Sequence, residues 1–139
     1  MNTRYRQLYP MLLALVLLGG CAGAMRPAEG FRSAYSDFGQ RLRWKDCGGA
    51  GTYMAEPHRA EFQETCRSDG DLQFVLVEPQ SVILAEDHRS AETITLVQYY
   101  RLPSTVIKTH RLEQQWVYRQ GSGGKFGNWE IDSPFPELP

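Results

Sequence analysis

A glycine cluster, Gly121-Ser122-Gly123-Gly124, lies between two segments that both read as strand. Gln115-Trp116-Val117-Tyr118 precedes it and Asn128-Trp129-Glu130-Ile131 follows it, and both are rich in the aromatic and β-branched residues that suit a pleated, half-buried surface. A phosphate-cradling loop would instead need Gly-Lys-Ser/Thr leading into a helix whose amino end faces the phosphate. Here Gly124-Lys125 is followed by Phe126 and more strand-forming sequence. The cluster is therefore expected to be the turn of a hairpin, which rules out a P-loop and commits the end of the chain to antiparallel sheet.

The strand pattern extends upstream. Leu72-Gln73-Phe74-Val75-Leu76-Val77 and Val82-Ile83-Leu84-Ala85 flank Pro79, which marks a bend or an edge position. Glu86–Ser90 is a polar turn, Thr93–Tyr100 a strand, and Leu102-Pro103-Ser104 a second turn. A long strand is expected from Thr105 to Tyr118 and a short one from Asn128 to Asp132. Before this block the period changes. Phe31, Tyr35, Phe38 and Leu42 fall at i, i+4, i+7 and i+11, one face of an amphipathic helix. Gly48-Gly49-Ala50-Gly51 interrupts that pattern. Glu56-Pro57 opens a second helix that ends at Ser68-Asp69-Gly70, with Pro57 in its first turn. Helices followed by a run of antiparallel strands predict an α+β domain, with the helices packed on one face of a sheet.

The first twenty residues belong to something else. Arg4 and Arg6 precede an unbroken apolar run, Met11–Leu18, and Gly19-Gly20 follows it. A charged start, an apolar middle and a small-residue cleavage site make an export signal. As a helix the run would cover about 12 Å, against roughly 30 Å of hydrocarbon, so it is too short to span a bilayer. Leu18-Gly19-Gly20-Cys21 resembles the lipobox of bacterial lipoproteins. That resemblance implies cleavage before Cys21, acylation of its thiol and new amino group (palmitate among the chains), and a membrane anchor held by several acyl chains. Ala22, in place of an aspartate, implies sorting to the outer membrane facing the periplasm. Ala22–Gly30 reads as a tether of small and turn-forming residues.

Cleavage would remove two of the 15 basic residues and none of the 16 acidic ones, leaving a net charge of −3. No concentrated basic face remains for nucleic acid. With Cys21 on lipid, Cys47 and Cys66 read as one disulfide in an oxidising compartment, the alternative being two free, partly buried thiols. The expected layout is a signal peptide over 1–20, a tether over 21–30, one domain over 31–133 and a tail over 134–139, whose prolines cannot continue a ladder.

The hairpin also carries a resemblance. Gln115-Trp116-Val117-Tyr118, a glycine turn and Asn128-Trp129-Glu130-Ile131 resemble the closing hairpin of nuclear transport factor two-like domains, and the order of helices and strands from Phe31 to Ser133 fits that fold. The resemblance implies a cone, in which a curved antiparallel sheet wraps around helices and often encloses a pocket. Isomerases, dehydratases and non-catalytic binding modules share it, so the fold alone does not name a function.

Catalytic members of such cones place an acid–base residue inside. Tyr35, Tyr53, His58, His88, Tyr99, Tyr100 and His110 are the available groups, and none sits in a motif that assigns it a role. His110 is the catalytic candidate of most interest, because on a strand it shares a side with Leu112, Gln114 and Trp116; the plainer reading is a sheet-surface histidine beside Lys108. Tyr35, Tyr99, Tyr100, Trp116 and Trp129 are candidate ligand-lining aromatics, as are Trp44 and Tyr118, although such residues more often fill a small core. The three histidines are too scattered for a metal site, and Ser104 and Ser122 have no triad partners nearby in sequence. No cofactor is expected. Arg41, Arg43 and Lys45 form a basic stretch that reads as a solvated face. The expected function is a lipid-anchored envelope module that holds a small apolar ligand or a protein partner, with homodimerisation through the sheet compatible with it. The alternative is an isomerase, dehydratase or hydrolase with an acid–base residue in the cone.

Overall fold

The computed structural model describes residues 27–123 and 126–139. The export signal, Cys21, residues 22–26 of the tether, and Gly124-Lys125 of the hairpin turn lie outside the described residues. Three helices precede four strands: α1 (Pro27–Arg43), α2 (Cys47–Gly51), α3 (Glu56–Ser68), β1 (Leu72–Leu84), β2 (Ser90–Arg101), β3 (Lys108–Arg119) and β4 (Asn128–Ile131). The strands form one antiparallel sheet in sequence order.

α1 buries Phe31, Tyr35, Phe38 and Leu42, the stripe expected from the sequence. It starts at Pro27, so the last four residues assigned to the tether are helical. Proline suits a first turn, Glu29 faces the positive end of the helix dipole, and the Trp129 indole N–H donates to the Pro27 carbonyl at 2.8 Å. The helix closes with Lys45 N–H donating to Leu42 O and Asp46 N–H to Arg41 O, a double closure of the Schellman type. Lys45 takes the position usually given to glycine, with φ 55°. Its ammonium donates to the carbonyls of Asp69 and Leu72, which ties the end of α1 to the start of β1 and offsets the backbone cost.

The glycines at 48–51 do not simply break the chain. They form α2, capped by Asp46, whose carboxylate accepts from Gly49 N–H at 2.9 Å. A Cβ at Gly49 would come within 2.1 Å of both Asp46 and Arg41, so the glycine lets this carboxylate approach. Cys47 and Cys66 are bonded, with Cα atoms 5.7 Å apart, which joins α2 to α3.

β1 is continuous through Pro79, with register shifts at Phe74/Leu76 and Pro79/Ser81. Both irregularities sit on an edge strand, where a missing N–H and a bulge are tolerated and bend the sheet. β3 starts at Lys108, not Thr105; residues 102–107 are an exposed loop. The free edge of β4 is covered by the α2–α3 connection, since Ile131 N–H donates to Tyr53 O at 2.6 Å and Ala55 N–H to Ile131 O at 2.9 Å. The core lies between α1 and the inner face of the sheet and includes Val97, Tyr99, Leu112, Trp116, Trp129 and Ile131. The tail leaves the ladder after Asp132, as its prolines require, yet it is not a free end. It crosses back over α3, where Phe135 meets Phe62 edge-on at 5.1 Å, and Leu138 enters the core at 5% exposure.

Candidate functional site

The inner face of the sheet is set by register. Ala91, Thr93, Thr95 and Val97 pair with Trp116, Gln114, Leu112 and His110, and paired residues in an antiparallel ladder share a face. Trp116 is fully buried and meets Phe31, Tyr35, Phe38 and Tyr53 with ring centroids 5.6–6.2 Å apart. Most of these contacts are edge-to-face, which suits the ring quadrupoles. Trp129 continues the cluster through Phe31 and Tyr118. The middle of the cone is thus packed with aromatic rings.

A polar row runs through this dry packing. Tyr35 Oη lies 2.7 Å from Thr95 Oγ1, and Trp116 Nε1 donates to Thr93 Oγ1 at 3.2 Å. Gln114 is 3% exposed, and neither polar atom of its amide has a hydrogen-bond partner among the described residues. Such a group normally finds one in protein, water or ligand. Burial pushes the Tyr35 hydroxyl up, against the opposing effect of its bonds to Thr95 and Thr93. It therefore stays protonated near neutral pH, a hydrogen-bonding group rather than a base.

Space opens at the other end. A cleft of about 380 Å³ lies where the end of α1, α3, the β1–β2 end of the sheet and the tail meet. Leu42, Phe62, Leu72, Phe74, Phe135 and Leu138 make its apolar bed, while Lys45, His58, Glu61, Asp69, Arg101 and Glu137 supply charged and polar groups. Several of these are already committed. Arg101 pairs with Asp69 at 2.5 Å and donates to Leu138 O at 2.8 Å. Tyr99 Oη donates to Pro139 O at 2.6 Å. The tail is thereby fastened as one wall of the cleft.

The candidate residues divide accordingly. Tyr35, Trp116 and Trp129 belong to the aromatic packing, and Tyr99 is buried beside the tail. Tyr100, one residue on along the strand, is half-buried on the opposite face. His110 is half-buried on the inner face, level with Val97, beside the exposed Lys108 and Thr109. His58 lines the cleft, and His88 is exposed in the β1–β2 turn at φ 55°. Trp44, a candidate liner, is 80% exposed. Tyr53 is half-buried, and its hydroxyl donates to Asp37 at 2.7 Å. Burial, then Asp37, pushes it up to about 12. Within the basic stretch Arg43 is exposed, while Arg41 pairs with Asp37 and Asp46 at 2.6 and 2.8 Å. Among the described residues no cluster of His, Cys, Asp and Glu could hold a metal ion. Sequence reasoning missed the tail as a cleft wall; the alternation of Phe135 and Leu138 with prolines was the available signal.

No protein-family model and no curated protein matches the chain. Solved structures do. A crystal structure of a ketosteroid isomerase-like protein from Erwinia carotovora atroseptica is similar with a TM-score of 0.55 at 11% identity, over 73% of this chain and 88% of that one. A solution structure of a SEC-C motif containing protein from Rhodopseudomonas palustris is similar with a TM-score of 0.51 at 16% identity, over 84% and 83%. The fold is a nuclear transport factor two-like cone. In this cone the helices fill the centre with rings, and a cleft with an apolar bed lies beneath the tail, where β1 starts and β2 ends.

Proposed function

We propose that this chain is a lipid-anchored, non-catalytic module of the bacterial cell envelope, held at the outer membrane through Cys21 and facing the periplasm. Its nuclear transport factor two-like domain binds a small, mainly apolar ligand in the cleft beneath the tail. The cleft itself carries the reading: about 380 Å³ with an apolar bed and a few polar groups at its rim, within the usual range for small-molecule sites. The packed centre supports a binding module over an enzyme, because rings fill it and burial keeps the Tyr35 hydroxyl within it protonated. The anchor rests on the lipobox resemblance. No described helix is long and apolar enough to cross a membrane, so attachment in this reading falls to the acyl chains.

Two measurements test the two halves. Incorporation of a palmitate analogue into the wild-type chain, abolished by Cys21→Ala together with recovery in the membrane fraction, tests the anchor. For the cleft, the probe is 1-anilinonaphthalene-8-sulfonate, whose fluorescence rises on entering an apolar site. Thr65 lines the cleft but is exposed, so Thr65→Trp fills the space without touching the core. The variant is expected to weaken probe binding about tenfold, equivalent to about 1.4 kcal/mol, at an unchanged melting temperature. Equal binding by both proteins would overturn the cleft as the binding site.

A further inference from the structure

The domain has a second hollow, about 440 Å³, at the opposite end from the cleft; Pro27, Gly30, Tyr118, Phe126 and Trp129 are among its lining residues. Phe126 is 85% exposed, more than any other large apolar residue among those described. It follows Gly123-Gly124-Lys125 in the hairpin turn. A Cβ at Gly127 would come within 2.5 Å of the Arg119 carbonyl and of the Tyr118 ring, so glycine lets the returning strand lie close against β3. Trp129, two residues further on, is tied to Pro27 O. β4 and the start of α1 are therefore tied together, with the exposed Phe126 ring beside them.

The chain preceding Pro27 says which surface this end meets. Cys21 is six residues upstream, and six residues span at most about 20 Å. α1 then runs away from Pro27 for 17 residues, about 25 Å, to the end that holds the cleft. Under the anchor reading above, on which this inference rests, the hairpin end is the end held near the bilayer, and the cleft end points away. We infer that the described part of the β3–β4 hairpin docks on the lipid surface, with Phe126 entering the interfacial region. A single phenyl ring would not hold a free protein on a membrane. Tethering supplies the rest, because the anchor makes docking intramolecular at a high effective concentration. The consequence is an orientation: the cleft opens toward the aqueous compartment, with the exposed Leu102, Val106 and Ile107 beside that end of the sheet.

The test uses the acylated full chain in vesicles of phosphatidylethanolamine and phosphatidylglycerol. With Cys21 acylated and Cys47 bonded to Cys66, an introduced cysteine is the one reactive thiol. Ser122→Cys, in the hairpin turn, and Ser104→Cys, in the β2–β3 loop, are each labelled with an environment-sensitive fluorophore, and the vesicles carry a lipid spin-labelled near its headgroup. Quenching at position 122 is expected to exceed that at 104 at least about threefold, and Phe126→Ser is expected to remove at least about half of that excess. Equal quenching at the two positions, or an excess indifferent to Phe126→Ser, would overturn hairpin docking. Vesicle flotation separates the two failures. A chain that floats with equal quenching loses the docking alone, whereas a chain that does not float loses the anchor and the docking with it.

Discussion

The two ends of this cone are held together by different physics. At the hairpin end, Trp116 and Trp129 lock α1 to β3 and β4 through ring contacts and the Trp129 indole bond to Pro27, while the Trp116 indole bonds across to Thr93 of β2. At the cleft end the ties are discrete: a disulfide, a lysine reaching two carbonyls, and an Arg101–Asp69 pair that also holds the tail. Ring packing fills the centre of the cone, whereas the point ties leave a cleft between them. The cleft end is therefore the one where an apolar bed is left open to a ligand, and the ring cluster gives it a rigid base.

The largest effect is expected at the aromatic end. Trp116→Ala removes a fully buried ring with four aromatic neighbours, at a cost of about 3–5 kcal/mol. For a domain of this size that is a large part of the total stability, so urea denaturation should show a collapsed midpoint or no folded baseline. A loss under about 1 kcal/mol would mean that the cone is not held by this cluster.

The matching cut at the cleft end is Cys47→Ala with Cys66→Ala. The bond closes a sequence separation of 19, and loop-closure entropy puts its contribution at about 3 kcal/mol. The comparison sharpens in where the damage falls. Hydrogen exchange should speed up mainly in α2, α3 and the tail, while the amides of β3 and β4 keep most of their protection. Uniform loss of protection would show that the two ends are one cooperative unit.

Between them lies Gln114, whose amide is buried without a protein partner among the described residues. Gln114→Met keeps the length and removes the unpaired polar atoms, so the melting temperature should rise by a few degrees, for about 1 kcal/mol. A fall of similar size would show that the amide is satisfied in solution by a bound water or ligand, and that the polar row is a working part of the interior.

How much of this was legible depends on the range of the interaction. The α1 stripe and the Trp116–Trp129 hairpin were readable because burial on one face leaves a period in the local sequence. Trp44 and Trp116 show the limit: the same residue type is 80% exposed in the turn after α1 and fully buried on β3, and residue type alone does not separate them. The α2 turn was hidden because glycines usually end helices; here Asp46 caps one. The cleft was not readable, since its walls come from residues 42, 62, 74, 101 and 138, which no local pattern brings together. The tail was misjudged for a similar reason. Prolines exclude it from the ladder, but nothing in that rule prevents Leu138 from entering the core.

The smallest effect is the pH dependence set by Asp37 and Tyr53, which sit between the two ends. Arg41, then the Tyr53 hydroxyl, holds the Asp37 carboxyl below the usual carboxylate range. A depressed carboxyl contributes stability that is present above its unfolded value of about 3.9 and is lost as pH falls through the lower folded value. Tyr53 is raised to about 12, so its contribution is present below the unfolded value near 10 and is lost as pH rises toward 12. One contact therefore shapes both edges of the stability profile. Each edge should be worth about 1 kcal/mol or less, because the Asp37–Arg41 pair is partly solvated. Tyr53→Phe is expected to shrink both edges, and Asp37→Asn to remove its share of the acid edge while easing the alkaline one. Asp46, also depressed, chiefly by its bond from Gly49 N–H, keeps part of the acid edge, and Tyr35, raised by burial, keeps part of the alkaline one. If melting curves from pH 3 to pH 11 are the same for Tyr53→Phe and the wild type, the hydroxyl–carboxylate bond contributes nothing, and α1 is joined to the α2–α3 connection by packing alone.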